Sequence, residues 1–260
     1  PSLSYILSNL PFVQQEDLEE LNPEAVNINQ FISERIGQDV RLDGRSDLYA
    51  YLPFYFWNLL GDNGTASIII SNSWMGTSWG EKFYKLLQYF YHIESVITSG
   101  NGRWFNNAKV VTNIVILRKK ESPSLPEKGH LTKFVTTRNK LTEYSDEQLE
   151  EIAAVVSSKA QVDEEDIAIR SYTAGQIDEI RELGLNLNSL FADTDWLLVI
   201  KSKLVKASDL FDIARGERRG WDKLFYPEPN NGIEAEYLKP VLKTPRSVKS
   251  FVAKSDALAF

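Results

Sequence analysis

Tyr5-Ile6-Leu7-Ser8-Asn9-Leu10-Pro11-Phe12 opens the chain with a short apolar run that stops at an asparagine and a proline. An apolar run bounded by such punctuation reads as a buried strand, and Ser8-Asn9-Leu10-Pro11 as the loop leaving it. Residues 13–45 are polar, with few apolar anchors, and predict a long loop carrying one short helix around Asn29–Ile36. A loop of that length inside a compact domain is usually functional. From Asp47 to Leu60, Leu48, Tyr51, Leu52, Tyr55, Phe56 and Leu59 recur at helical spacing, with Ser46 or Asp47 placed to cap. Pro53 interrupts that pattern, and Gly61-Asp62-Asn63-Gly64 ends it with turn chemistry. Ala66–Ile70 predicts a buried strand, Trp79–Tyr91 a helix, and Ile93–Ile97 and Val110–Leu117 two further strands. This alternation of strands and helices over residues 1–120 defines an α/β sheet with helices packed on it.

Beyond residue 120 the texture changes twice. Residues 121–200 begin with prolines, turn basic, and then become acidic, with helices expected at Ser145–Ser157 and Thr173–Leu183. Residues 201–260 are rich in glycine, proline and aromatics. Boundaries near 120 and 200 follow.

Composition excludes several chemistries. Of 260 residues, 43% are hydrophobic and 25% charged, which is ordinary for a globular protein. With no cysteine, there is no disulfide framework, thiolate zinc site or cysteine nucleophile, and a reducing compartment such as the cytoplasm is expected. His92 and His130, the only histidines, are far apart in sequence, so a histidine metal site is not expected and both read as structural. The longest apolar runs fall far short of the roughly 20 residues that span a bilayer, and no signal peptide is evident, so no membrane partner is expected. The net charge of −7 hides an asymmetry: residues 101–140 carry 9 bases against 2 acids, and residues 141–200 carry 3 against 14. Residues 201–260 are again net basic, with 12 against 8.

Asn9-Leu10-Pro11-Phe12, directly after a strand, resembles the catalytic motif of DNA adenine methyltransferases, an Asn/Asp/Ser-Pro-Pro-Tyr/Phe/Trp sequence ending the fourth strand of the catalytic sheet. The stretch from Leu7 to Asp17 looks like the extended form found in type IIG restriction–modification enzymes. Ser46-Asp47-Leu48-Tyr49-Ala50-Tyr51, then Ser71-Asn72-Ser73-Trp74-Met75, Trp104 to Val110, and Thr112 to Lys119 match that family in order and spacing. The resemblance implies the C-terminal half of a Rossmann-like S-adenosylmethionine-dependent methyltransferase sheet over 1–120. An acidic, largely helical connector over 121–200 and the start of an α+β target-recognition domain over 201–260 would follow. The family's glycine-rich cofactor loop is not found here, since Gly61-Asp62-Asn63-Gly64 precedes a strand instead of following one. These 260 residues are therefore expected to be inactive alone, as part of a longer protein that uses S-adenosylmethionine.

The chemistry of the motif can be stated physically. A base must leave the duplex stack before its exocyclic amine can react. That amine is a poor nucleophile because its lone pair is delocalised into the ring. The Asn9 side-chain carbonyl can accept one amine proton and the Leu10 main-chain carbonyl the other, which localises the lone pair and stabilises developing positive charge. Phe12 can stack on the flipped base, and Phe105 is implied as its second neighbour. Neither metal nor covalent intermediate is required. Leu10 replaces the family's proline; its carbonyl survives the change, but proline's fixed φ does not. Pro11 completes the tetrapeptide.

Arg103 and Lys109 flank the second aromatic loop and are expected to meet phosphates, with Arg118-Lys119-Lys120 reading as an ordinary strand end. Leu210 to Phe225 resembles the opening of the family's target-recognition domain, where Arg215, Arg218 and Arg219 on a glycine-flanked loop would contact DNA. The expected partner is double-stranded DNA, with room for a nuclease module or subunit. The competing reading is a non-catalytic DNA-binding or specificity module.

Overall fold

The computed structural model describes residues 2–11, 23–105, 110–213, 221–228, 230–244, 246, 248–250 and 252–260. They form two compact units, divided between Leu204 and Val205.

The first unit is built on one seven-stranded sheet. β1 (Leu3–Asn9) leads to α1 (Pro23–Ile36), which stops at Gly37, a residue with φ +74°. A 3-10 turn at Leu48–Ala50 precedes α2 (Leu52–Leu59), β2 (Leu60–Ser71), α3 (Ser78–Phe90), β3 (Tyr91–Ser99) and β4 (Thr112–Lys119). Then come β5 (Leu131–Thr137), α4 (Asp146–Ser158), β6 (Val162–Asp163), β7 (Ile167–Thr173), α5 (Ala174–Glu182) and α6 (Asp195–Ile200). The strand order is β1-β2-β4-β3-β5-β7-β6. The β1–β2 and β3–β5 pairs are parallel and all others antiparallel. Five strands thus run one way, and β4 and β7 run against them.

The main core lies on one face, where Ile68 and Ile70 of β2, Val115 and Leu117 of β4 and Val96 of β3 meet Phe54, Phe83 and Phe90 from the helices. On the other face, α4 brings Val156 onto Val135, Val162, Ile167 and Ile169. At the other end of the sheet, the same face of β1 stays open, with Tyr5 74% and Leu7 81% exposed. The two end strands differ in kind. β6 is two residues long, and its Asp163 is bonded to Arg138 and Arg170, a short charged edge of the sort that resists further pairing. β1 is seven residues long and uncharged.

Several expectations change. The strand at Tyr5–Leu7 is an end strand buried on one face only. Pro53 splits the expected helix at 47–60 into a 3-10 turn and α2, because proline is tolerated in a first helical turn but not further in. Gly61–Gly64 belongs to β2, where the register slips between Leu3↔Leu60 and Tyr5↔Thr65 and Asn63 takes φ 58°. The expected connector at 121–200 is not one: β5, β7 and β6 continue the sheet within it, and its helices α4 and α5 cover that extension. Leu131-Thr132-Lys133-Phe134-Val135 and Ile167-Ala168-Ile169 carry the β-branched and alternating signal that the charged composition around them obscured.

His92 and His130 meet at the edge where β3 and β5 begin. Their ring centroids are 4.9 Å apart, His92 Nε2 lies 3.5 Å from Glu127 Oε1, and His130 Nε2 lies 3.0 Å from the Ile93 carbonyl.

The second unit holds α7 (Ala207–Leu210), α8 (Asp222–Phe225) and a ribbon of β8 (Lys239–Val241) with β9 (Ala257–Ala259). Its large apolar residues, Phe211, Ile213 and Trp221 among them, are mostly exposed.

Two predictions follow from the packing. A Cβ on Gly80, in the first turn of α3, would lie 1.7 Å from the Trp74 carbonyl oxygen. Gly80→Ala should therefore cost about 3 kcal/mol or more despite alanine's better helix propensity; an unchanged urea midpoint would contradict this. Burial, and then the Arg118 cation, hold the His92 pKa below its ordinary value, with Lys120 and His130 adding to this and Glu127 opposing it. The unfolded chain then binds a proton near pH 6.5 before the folded one does, so stability falls as pH drops through that window. Tm measured from pH 8 to 5 should fall less in His92→Gln than in the wild type.

Candidate functional site

The site is built at the carboxyl ends of parallel β1 and β2, the position where open α/β sheets place ligands. Asn9, the last residue of β1, pairs with Ile69 and is exposed. One residue on, the Leu10 N–H donates to the Ile69 carbonyl at 3.0 Å, so the parallel pairing extends into the tetrapeptide. The Leu10 side chain is 3% exposed and belongs to the main core. Pro11 is exposed. Phe12 lies outside the described residues.

The second aromatic loop leaves the same end of the sheet. After β3, the Gly100 N–H donates to the Thr137 carbonyl at 2.7 Å, and a Cβ there would lie 3.0 Å from that carbonyl oxygen. Gly102 then turns with φ +73°. Arg103 is exposed, Trp104 is buried, and Phe105 is half-buried. The Trp104 indole Nε1 has no hydrogen-bond partner among the described residues. Lys109 lies outside the described residues, as do Arg215, Arg218 and Arg219.

The basic run at the end of β4 has other work. Arg118 is paired with Glu94 at 2.7 Å. Lys119 donates to the Leu60 carbonyl at 2.6 Å and lies over the Trp57 ring. Lys120 donates to the carbonyls of Gln88, Ser124 and Leu125, and burial pushes its pKa down. Through the strand register, Asn9 lies level with Ile114, four residues from Arg118. That is about 13 Å along the strand. These cations fasten the far end of the sheet.

Between the two loops lies a cluster whose connections cannot be seen in the sequence. Asp47 stands at the N-cap position of the 3-10 turn but makes no capping bond. Its carboxylate accepts from Ser73 Oγ at 3.3 Å, Ser73 Oγ lies 3.3 Å from the Tyr49 hydroxyl, and Ser71 Oγ donates to Ser73 Oγ at 3.1 Å. Asp47 is 3% exposed. Burial raises its pKa, and the hydroxyls of Tyr49 and Ser73 pull it part of the way back. Burial also pushes the Tyr49 phenol up. The only hint in the sequence is the spacing, Asp47 and Tyr49 two apart and Ser71 and Ser73 two apart.

A shallow groove of about 320 Å³ runs beside Asn9, lined by Leu7, Ser8, Asn9, Ser67, Ile69 and Ile114. It offers an apolar and hydroxyl wall but no charged side chain. Taken alone, these residues do not fit a large charged donor such as S-adenosylmethionine, whose carboxylate and ribose need partners from elsewhere. Among the described residues no group of three or more His, Asp or Glu could hold a metal ion. None of the described helices is long and apolar enough to cross a membrane.

Comparison with known proteins gives the family. The family model described as N-6 DNA methylase matches residues 1–192, so the chain belongs to that family. The match runs through β5–β7, which places residues 121–192 inside the family's domain. Among solved structures, the type IIG restriction endonuclease BpuSI aligns with 99% of this chain and 31% of its own at 14% identity, with a TM-score of 0.54. The type I restriction-modification methyltransferase subunit from Streptococcus thermophilus aligns with 72% of this chain and 37% of its own at 18% identity, TM-score 0.48. The type I restriction enzyme EcoKI M protein aligns with 74% and 43% at 15% identity, TM-score 0.46. The BpuSI likeness shows a shared α/β fold. The chain spans less than half the length of each of these three solved chains. No curated protein sequence matches it significantly.

The Leu10 geometry makes a prediction that opposes the family pattern. Leu10→Pro would remove the donor to Ile69 and part of a buried side chain. The expected loss is about 1–3 kcal/mol of stability, with no gain in methylation. A Leu10→Pro variant that is more stable or more active would overturn this.

Proposed function

We propose that the chain is the catalytic part of a DNA adenine methyltransferase of a restriction–modification system. It would transfer a methyl group from S-adenosylmethionine to the exocyclic amine of an adenine flipped out of duplex DNA. The observation that carries the reading is Asn9, exposed at the end of β1, followed by Leu10 pinned to Ile69 through its N–H. Asn9 Oδ1 and the Leu10 carbonyl would each accept a hydrogen bond from one amine N–H, and the single proton displaced by the methyl group would leave along one of these bonds to solvent. Held by two acceptors, the nitrogen lone pair is turned out of conjugation, and positive charge on the amine is stabilised as it forms. Phe12 stacks on one face of the base, and Phe105 supports it from the second loop, at about 1–3 kcal/mol per stacked ring. S-adenosylmethionine supplies an electrophilic methyl group.

Arg103 and Lys109 are assigned to phosphates beside the second loop, and Arg215, Arg218 and Arg219 to the DNA in a recognition domain beginning in the second unit. The open apolar face and uncharged edge of β1 support a sheet continued beyond β1 by further chain, which would complete the cofactor site. The alternative, a non-catalytic specificity module, drew on the missing proline. The Leu10 bond to Ile69 weighs against it, because it gives the loop a restraint of a different kind.

The test uses the complete protein, duplex DNA and S-adenosylmethionine labelled in the methyl group. Label should appear at N6 of adenine. Asn9→Ala should lower kcat by about 10²–10³-fold, the usual effect of deleting one charge-stabilising contact, while DNA binding persists. Wild-type protein that binds DNA and cofactor yet leaves adenine unmodified would reject the reading.

A further inference from the structure

The cluster of Asp47, Tyr49, Ser71 and Ser73 ties the segment before α2 to the turn after β2, next to the two segments that the methyltransferase reading assigns to the base. Ser71 ends β2 and Ser73 lies in the turn that follows, Asn72–Gly76. Two backbone bonds flank this turn. On one side, Ile69 accepts the Leu10 N–H at 3.0 Å; on the other, the Asn72 N–H donates to the Val111 carbonyl at 2.9 Å, where the chain returns from the Trp104–Phe105 loop. The end of β2 and its turn are thus bonded on one side to the residue after Asn9 and on the other to the chain entering β4.

What fixes the turn is polar and internal. Ser71 Oγ accepts the Ser73 N–H at 3.2 Å and donates to Ser73 Oγ, which in turn donates a hydrogen bond to Asp47 Oδ2. The Tyr49 hydroxyl also reaches the Ser71 carbonyl at 3.4 Å. A buried carboxylate is costly unless hydroxyl or amide protons meet it. Among the described residues the hydroxyls on it come from the turn and from Tyr49, so the charge holds the turn in one arrangement. We infer that Asp47 is a positioning residue: through Ser73, Ser71 and Tyr49 it sets the distance between the Asn9–Leu10 acceptors and the Trp104–Phe105 loop. Displacements near 1 Å at such distances can cost about 100-fold in rate. The inference rests on the methyltransferase reading.

Two measurements on the complete protein test it, with Asp47→Asn as the near-isosteric variant and Ser73→Ala as the second. Amide exchange should rise at least about fivefold in the peptides containing Leu10 and Asn72 in both variants, while Leu131–Thr137 keeps wild-type protection. In turnover, kcat should fall about 10–100-fold with the KM for DNA within about twofold. Unchanged exchange at Leu10 and Asn72, or raised exchange with kcat intact, overturns the inference. Absent methylation by the wild type rejects the function reading instead, and the exchange experiment still decides whether Asp47 holds the turn.

Discussion

The parallel pairing of β1 with β2 is the constraint on which the rest depends. Two parallel strands cannot be joined by a hairpin, so the chain leaving β1 at Asn9 must travel back to Leu60 before β2 can begin. The crossover starts at the same end of the sheet as Asn9. It delivers Asp47 and Tyr49 there, and only then does α2 descend to the opposite end. The direction of one strand pair therefore explains why a carboxylate 38 positions from Asn9 in sequence comes to lie under the turn beside it. The same crossover seals the core, since Tyr49, Phe54 and Trp57 are all buried against β2 and α3.

The second constraint is the antiparallel β4 between β2 and β3. A strand inserted against the grain starts at the end where its neighbours finish. Thr112 pairs with Ser71, and Asn113 pairs with Ile70 on one side and Thr98 on the other. The connection from β3 to β4 then starts and finishes at that end of the sheet, which is how Trp104 and Phe105 come to the same end as Asn9. Buried inside that edge, Trp74 donates its indole N–H to Asn113 Oδ1 at 3.2 Å, tying the turn after β2 to β4. Gly80 lets the backbone of α3 lie directly on Trp74.

Much of this was legible in the sequence. The apolar run ending at Asn9, the second half of α1 at Asn29–Ile36, the helix at Ser78–Phe90, and strands β2–β4 follow from periodicity and punctuation, whereas the first half of α1 lay in what reads as a loop. The extension of the sheet was not legible, because its strands carry charges that find partners far away. Lys133 in β5 reads as a solvated residue, yet its ammonium donates to the Val156 and Ser157 carbonyls and so caps α4 from the sheet. Arg170 in β7 is paired with Asp163 on the neighbouring strand and donates to the Val162 carbonyl. Local composition cannot distinguish a charge facing water from one bound across a ladder. For the same reason the Asp47 cluster and the histidine pair were invisible: each joins residues more than 20 positions apart, and neither leaves a periodic trace.

Leu10 shows how one chain can meet a family's requirement by a different physical route. Proline restrains a loop by fixing φ, which lowers the entropy of the unfolded chain by about 0.4–1 kcal/mol. Leucine gives that up but keeps an N–H, and here the N–H bonds to Ile69. Such a bond contributes about 0.5–1.5 kcal/mol net. Its side chain is also buried in the core, worth about 1.5–3 kcal/mol in transfer from water. The two local terms together match or exceed what proline supplies. They also act on a different object: proline stiffens the residue, whereas the bond and the buried side chain tie it to β2. In this chain the position of the Leu10 backbone is therefore inherited from β2 and from whatever holds the end of β2 still.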